Sequence, residues 1–359
     1  MLLIIALPLF YLGYVIYGKY IDKIFGADDS RITPSREFND GVDYVPTHPG
    51  VAFNHHFASI AGAGPIIGPT TALLYGYMPV WLWIVLGGIF IGAVHDYTAL
   101  FVSLREKGKS MAEVSNKTLG KLGFGLFIGF TICMIVLVTS AFLGLTATAL
   151  TSLVPVKELM IDPANSLIKV KNVNGIAMGQ IGGIASTSVL VMTSFAPLIG
   201  WLLYKKNIKV WIASTLATIV GLVSIVVGLY FPIGLDPKVW MYIIAFYTFL
   251  AAGIPVWILL QPRDFTNSFI LYAGMAMLVI GVIGGAVTGV NLQAPAWNVA
   301  GGTAKMGTIW PFLFITIACG AISGFHNLVA AGTVSKQVTK ESHARPIGFG
   351  GMLVESLLA

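Results

Sequence analysis

Phe53-Asn54-His55-His56-Phe57-Ala58-Ser59-Ile60-Ala61-Gly62-Ala63-Gly64-Pro65-Ile66-Ile67-Gly68-Pro69 is an apolar run that carries two histidines and is interrupted, about ten residues in, by Gly62-Ala63-Gly64-Pro65. Apolar residues then resume as far as Tyr77. Glycine weakens a helix, and proline removes an amide donor and clashes with the carbonyl four residues back, so the stretch reads as a helix broken near Gly62. At membrane depth every freed backbone group is costly unless protein or a wet cavity satisfies it. The break therefore points to a site, because half-helix ends offer N–H groups to an anion and carbonyls to a cation. The plainer reading is a tight helix pair packed through Gly62 and Gly64, or a kink with no ligand.

The composition supports membrane depth. Hydrophobic residues make up 56% of the 359 residues and charged residues 10%, with a mean hydropathy of +0.84. Apolar runs of 18 or more recur, which predicts an all-α polytopic membrane protein embedded in a lipid bilayer. A net charge of +6 in a soluble domain would suggest nucleic acid. Here the basic residues sit in short connections and act as orientation signals, so no nucleic-acid partner is expected. Cys133 and Cys319 lie in apolar segments without CxxC spacing and imply neither a disulfide framework nor a zinc site. Met1 to Gly18 lacks a basic leader and a small-residue cleavage site, so it reads as a retained first span.

Nine apolar segments and the start of a tenth are expected, at about 1–18, 53–77, 79–104, 122–153, 180–204, 208–231, 238–260, 266–290, 309–331 and 346 onward. They make residues 1–359 one transmembrane domain of about ten spans, the last incomplete and hence truncated at the C-terminus. Sixteen of the 21 Lys and Arg fall in alternate connections, beginning with 19–52, which places that set in the cytoplasm and the N-terminus outside. The 19–52 connection reads as a solvated cytoplasmic segment, and 154–179, with Pro155, Asp162 and Pro163, as an external loop with a small hairpin. On this topology 53–77 and 238–260 run in opposite directions, and the latter is also interrupted, by Ala251-Ala252-Gly253-Ile254-Pro255. Two Gly/Pro-interrupted spans at corresponding places in opposed halves are the pattern of an inverted repeat with discontinuous helices.

Asp96 is the sharpest single residue, since an acid inside a span usually faces a cavity or a partner. Gly92 and Gly88 lie behind it at four-residue spacing and let another helix approach. A buried Asp96 suits a proton carrier, and the plainer reading pairs it with His95 or a basic residue near the membrane face. His55, Ser59 and Gly62 share a face leading to the break, with His56 on a neighbouring one, and either imidazole could bind a carboxylate or relay a proton. In the ninth segment Gly320, Ser323, Gly324 and Asn327 share a face beside His326 and before Gly332-Thr333. This set suits a cation site or simple helix adhesion. Gln261-Pro262-Arg263-Asp264 ends the seventh segment as either an interfacial anchor or a charged gate. Gly62-x-Gly64-x-x-x-Gly68 resembles a phosphate loop, but Pro65 and the absent Lys-Ser/Thr argue against nucleotide.

Longer motifs resemble the carbon starvation protein A (CstA) family. They are Tyr17-Gly18-Lys19-Tyr20, Thr47-His48-Pro49-Gly50 continuing through Pro69, Val94-His95-Asp96-Tyr97, Leu260-Gln261-Pro262-Arg263-Asp264-Phe265, Ser323-Gly324-Phe325-His326 and Ala344-Arg345-Pro346-Ile347-Gly348-Phe349-Gly350. The resemblance implies an inner-membrane peptide or pyruvate transporter associated with carbon starvation. It also implies the amino acid/polyamine/organocation superfamily and its LeuT-like five-plus-five inverted repeat, with 53–77 as core helix 1, 238–260 as core helix 6 and the ninth segment as core helix 8.

The expected function is therefore a cation-coupled symporter for a small carboxylate nutrient such as pyruvate or a short peptide, and not an enzyme. Substrate is expected at His55, Ser59, Gly62, Ala63, Gly64, Pro65, Gly253 and Pro255. Ion or proton coupling is expected at His95, Asp96, Ser323, His326, Asn327 and Thr333, and a gate at Arg263 and Asp264. No cofactor is expected beyond the coupling ion, H⁺ or Na⁺. The alternative is a membrane redox protein with haem or metal ligated by His55, His56, His95 and His326, and a channel is disfavoured by the absence of a repeated filter.

Overall fold

The computed structural model describes residues 2–162, 165–290 and 292–359; Met1 of the first segment and Pro163 of the 154–179 loop lie outside the described residues. Helix α1 (Leu2–Phe25) has a π-helical turn at Gly13–Tyr17 and ends at Gly26, whose φ of 63° gives the left-handed stop that glycine tolerates. Helix α2 (Pro49–Ile60) starts with proline in its first turn and with the His48 side chain accepting from the Gly50 amide at 3.2 Å. Three residues later α3 (Gly64–Tyr75) begins, bent by 44° from α2, so the quoted stretch is broken where its glycines and proline require.

Helix α4 (Tyr77–Arg105) carries Asp96, and α5 (Met111–Leu150) contains a non-helical Gly120. Strands β1 (Val154–Pro155), β2 (Val170–Val173) and β3 (Ile176–Gly179) form an antiparallel sheet in the order β1-β3-β2. Asn174 and Gly175, both at positive φ, make the two-residue turn that pairs Val173 with Ile176. Helices α6 (Ile181–Tyr204), α7 (Val210–Tyr230), α8 (Pro237–Ala251) and α9 (Leu260–Val287) follow. Then come α10 (Val299–Met306), α11 (Ile309–Thr316), α12 (Ala318–Ile322) and α13 (His326–Gly332). Last is α14 (Gly351–Leu358), entered through the π-helical turn Arg345–Gly350.

Among the described residues six helices are long and apolar enough to cross a membrane, α1, α4, α5, α6, α7 and α9, with the bent pair α2/α3 as a seventh. The chain is a multi-pass membrane protein. Three expectations need correction. The ninth segment, 309–331, is not one helix: it breaks at Ile317 and again at Ser323–Phe325, so Gly320, Ser323, Gly324 and Asn327 share no continuous helical face. The interrupted segment 238–260 is α8 followed by turns, because Gly253 and Pro255 stop the helix and nothing restarts it before Leu260. Gln261 to Asp264 consequently form the first turn of α9 instead of ending the seventh span.

Contacts divide the chain into two compact units, Met1–Gly125 with Leu271–Ala359, and Leu126–Ile270. In the second unit α6 and α7 pair through Ser188 Oγ and Ser224 Oγ at 2.7 Å, and Gly228 lies so close to the Ile184 carbonyl that a Cβ there would sit 2.5 Å from the oxygen. Trp240 is buried against Ala147 and Leu150 in the same unit.

In the first unit glycines set the packing. A Cβ on Gly68 would lie 2.3 Å from the Thr316 carbonyl oxygen, and one on Gly92 2.3 Å from that of Ala321. Gly88 is similarly tight against the Ser356 side chain, so the Gly88/Gly92 stripe behind Asp96 admits the α12 backbone and the Ser356 and Met352 side chains of α14 to close contact. Replacing Gly92 by Leu should therefore lower the thermal unfolding midpoint in detergent, at a cost of about 1–3 kcal/mol or more for overpacking. An unchanged midpoint would contradict this packing.

Candidate functional site

Asp96 sits on α4, fully buried, facing the start of α13. Its Oδ2 lies 2.8 Å from His326 Nδ1 and its Oδ1 2.9 Å from the Nδ1 of its neighbour His95. His56 of α2, also fully buried, brings Nε2 to 3.9 Å from Oδ2. The break at Ser323–Phe325 makes this possible, since it lets α13 start at His326 with its ring aimed at α4.

On the far side of the His326 ring, Nε2 lies 3.2 Å from Oε2 of Glu355 on α14, and Glu355 Oε1 accepts from Cys319 Sγ on α12 at 3.5 Å. His95, Asp96, His326, Glu355 and Cys319 thus form one continuous line of acid–base groups. It runs from His95, whose side chain is 32% exposed, into a core where Asp96, His326 and Glu355 are 0% exposed. The inner end of the line abuts the helix break: a Cβ on Gly64 would meet Cys319 Cβ and Sγ at 2.6 Å. Glycines elsewhere allow α14 its place, Gly351 against the His56 ring and Gly348 against the backbone of Asp96 and Tyr97.

The expected site residues divide among several places. His55, His56, Ser59, Gly62, Ala63, Gly64 and Pro65 belong to the α2/α3 bend, with His55 and His56 buried and Pro65 near Gly320. Gly64 also packs tightly, as the plainer reading had it. His95, Asp96 and His326 come together directly. Ser323 is buried in the α12–α13 break, Asn327 lies in the first turn of α13 with its Oδ1 buried, and Thr333 follows α13. Gly253 and Pro255 lie in the other unit, with Gly253 exposed. Arg263 and Asp264 also belong there and pair with each other, Nη2 to Oδ1 at 2.9 Å, while Arg263 Nη1 donates to Tyr247 Oη at 3.1 Å.

Glu355 and Cys319 were missed. The signal for Glu355 is the one that singled out Asp96, a lone acid in an apolar run, Met352-Leu353-Val354-Glu355-Ser356-Leu357-Leu358. Cys319 gives no such signal, because its partners come from distant segments.

At the Arg105 end of α4 the guanidinium grips the Glu341 carboxylate with Nε and Nη2, and Nη2 also donates to the Gly26 carbonyl at 2.8 Å. Asp28 N donates to Glu341 at 2.9 Å, and Asp29 accepts from Ser342 N and Oγ at 3.0 and 2.8 Å. These contacts correct the reading of 19–52 as merely solvated. Beside them a polar cavity of about 580 Å³ is lined by Tyr44, Lys107, Lys109, Gly332 and Lys336, among others.

The family model described as carbon starvation protein CstA matches residues 1–359. The chain belongs to the CstA family. The peptide transporter CstA of Bacillus subtilis is 36% identical over 358 residues, covering 97% of this chain and 54% of that protein. The pyruvate/proton symporter BtsT of Escherichia coli is 33% identical over 378 residues, covering 100% of this chain and 47% of its own length. The peptide transporter CstA of Helicobacter pylori strain 26695 is 36% identical over 379 residues, with 100% and 49% covered. This CstA-family chain spans about half the length of the curated relatives it matches. No solved structure matches it. The names of these relatives indicate transporters, not enzymes.

The Ser342 amide, with help from its hydroxyl and from Lys340, holds Asp29 below the usual carboxylate range despite partial desolvation. A carboxyl whose folded pKa is depressed contributes stability that is present above its unfolded value, about 4, and is lost as pH falls through the folded pKa. The protection factor of the Ser342 amide, its exchange measured against the intrinsic rate at each pH, should therefore be high at neutral pH and fall below about pH 4. Asp29→Asn should flatten that fall, and a wild-type profile in the variant would contradict the assignment.

Proposed function

We propose that this chain forms the ion-coupling part of a secondary active transporter, a proton-coupled symporter for a small carboxylate such as pyruvate or for short peptides. The observation that carries the reading is the line His95–Asp96–His326–Glu355, whose successive groups approach to 2.9, 2.8 and 3.2 Å and which ends beside the α2/α3 bend. A proton taken up at His95 passes to the Asp96 carboxylate, and the neutral acid then donates it to Nδ1 of a His326 ring whose own proton is on Nε2; the Nδ1–H ring is the state left once Asp96 is ionised again. Loss of the Nε2 proton to Glu355 then returns the imidazole to neutrality. Histidine suits this exchange because its ordinary pKa lies near neutrality, and a carboxylate lies within 3.2 Å of each ring nitrogen of His326.

The first amides of α3, at Ala63 and Gly64, face away from any intrahelical acceptor by the geometry of a helix start, and so suit the substrate carboxylate. His55, Ser59, Gly62 and Pro65 flank that position, and Gly253 and Pro255 supply the corresponding interruption in the second half. In this reading the architecture is a LeuT-like inverted repeat of the amino acid/polyamine/organocation type, with α2/α3 as core helix 1 and the α8 interruption as core helix 6. The protein sits in the bacterial inner membrane with its N-terminus outside. Arg263–Asp264 then serves as a gate. No cofactor beyond the coupling ion is required. A Na⁺-coupled version rests on Asn327 Oδ1, buried and without a hydrogen-bond partner among the described residues, together with Ser323 and Thr333.

Uptake of labelled pyruvate and of a labelled dipeptide into proteoliposomes under an imposed pH or Na⁺ gradient tests the reading. Expected is accumulation of one of them driven by pH, reduced at least tenfold in Asp96→Asn, while exchange of labelled for unlabelled substrate persists. Accumulation driven by Na⁺ alone, or full pH-driven uptake by Asp96→Asn, would overturn the proton assignment.

A further inference from the structure

Two acceptors face each other at the inner end of the buried line. The Asp96 carboxylate holds His326 through Nδ1, which selects the tautomer with its proton on Nδ1 and leaves the Nε2 lone pair free. Nε2 lies 3.2 Å from Glu355 Oε2, and among the described residues neither atom has a hydrogen-bond partner although both residues are 0% exposed. Two buried lone pairs at this distance repel unless a cation stands between them. A proton meets that need, and the third group beside them indicates what else does: Cys319 Sγ is 3.5 Å from the other Glu355 oxygen, and one ligand atom from each of Cys319, His326 and Glu355 falls within 4.8 Å of the others.

We propose that Cys319 Sγ, His326 Nε2 and the Glu355 carboxylate form a binding site for Zn²⁺. Zinc bonds of about 2.3 Å to sulfur and 2.0–2.2 Å to nitrogen and oxygen give tetrahedral ligand-to-ligand edges of about 3.4–3.7 Å. The His326–Glu355 and Cys319–Glu355 separations already lie near those edges. Three protein ligands leave the fourth position to water or an anion, as in open zinc sites. The Asp96–His326 hydrogen bond is the outer partner that a zinc-bound histidine ordinarily has, fixing ring and tautomer. Thiolate and imidazole favour this borderline-soft ion over Mg²⁺ or Ca²⁺, which take oxygen. Binding releases the Cys319 thiol proton to solvent, together with any proton held between His326 and Glu355, so charge and protons balance.

The position of the site gives binding a consequence. Cys319 and His326 lie on opposite sides of the α12–α13 break, and Glu355 comes from α14, so one ion ties three elements together beside Gly64. Zn²⁺ should therefore displace the coupling proton and arrest transport. That consequence rests on the transport reading above, whereas the binding does not.

Co²⁺, which takes the same ligands and reports thiolate coordination by a near-ultraviolet charge-transfer band, is titrated into the protein purified in detergent, and Zn²⁺ is then added. Expected is one Co²⁺ per chain with a thiolate band that Zn²⁺ abolishes, lost in Cys319→Ser, retained in Cys133→Ser, and shifted to at least tenfold weaker affinity in Glu355→Gln. Asp96→Asn, which keeps all three ligands, should weaken affinity about 10–100-fold. Absence of the band in folded wild-type protein, or its loss in Cys133→Ser with retention in Cys319→Ser, would overturn the site. Should Cys319→Ser fail to fold, the Glu355→Gln and Cys133→Ser titrations decide alone. A band unaffected by Glu355→Gln counts against the proposal. In proteoliposomes, uptake that continues with the Co²⁺ site filled would overturn the inhibitory consequence while leaving the binding site standing.

Discussion

The buried Asp96 carboxylate constrains everything around it. Removing an ionised carboxylate from water costs several kcal/mol even after relaxation, about what only an excellent set of partners can offset. The partners come from far apart in sequence: His95 from the same helix, His326 from a segment more than 200 residues later, and His56 from the second helix. His326 and His56 arrive only if their helices approach α4 closely. The closeness of those helices is thus a condition for burying the acid at all.

Glycine supplies the closeness of the helices next to them, α12 and α14. Gly88 and Gly92 bring α12 and α14 against α4, Gly348 brings the turn before α14 onto the Asp96 backbone, and Gly351 clears the His56 ring. In a bilayer, helix association gains little from the hydrophobic effect and depends on close packing and interhelical polar contacts. Here the two are combined in one place, since the helices that the glycines draw together are those whose polar groups meet. A bulkier residue at any of these positions would separate donors from acceptors as well as spoil packing.

Local chemistry was the legible part. Gly62-Ala63-Gly64-Pro65 announces its own break, and an acid in an apolar run announces a buried site, because both depend on adjacent residues. The segments 79–104, 180–204 and 208–231 correspond closely to α4, α6 and α7 for the same reason. What depends on three-dimensional approach was less visible. The breaks in 309–331 fall at Ile317 and Ser323–Phe325, where hydropathy stays high and only Ser323-Gly324 hints at weakness. Reading that stretch as one helix assigned it a polar face that does not exist. Glu355, a lone acid in the apolar run Met352–Leu358, gives a local signal equal to that of Asp96. The carboxylates of 19–52 looked solvated because Ser342, Lys340 and Glu341 are more than 300 residues away.

The breaks and the buried charges also solve each other's difficulty. A helix that ends inside a membrane exposes amides and carbonyls, and an ionisable group there lacks solvent; each is costly alone. Put together, a helix start such as that of α13 can turn a histidine ring toward α4, and the α2/α3 bend can stand against Cys319 at the end of the acid–base line. Three interrupted elements, α2/α3, α12/α13 and the π-helical entry to α14, converge on the same few side chains. Continuous helices through these positions would give each backbone its own hydrogen bonds but would carry His326 past Asp96. The irregular backbone is therefore the condition for the cluster, and the cluster is the reason that irregularity there is useful.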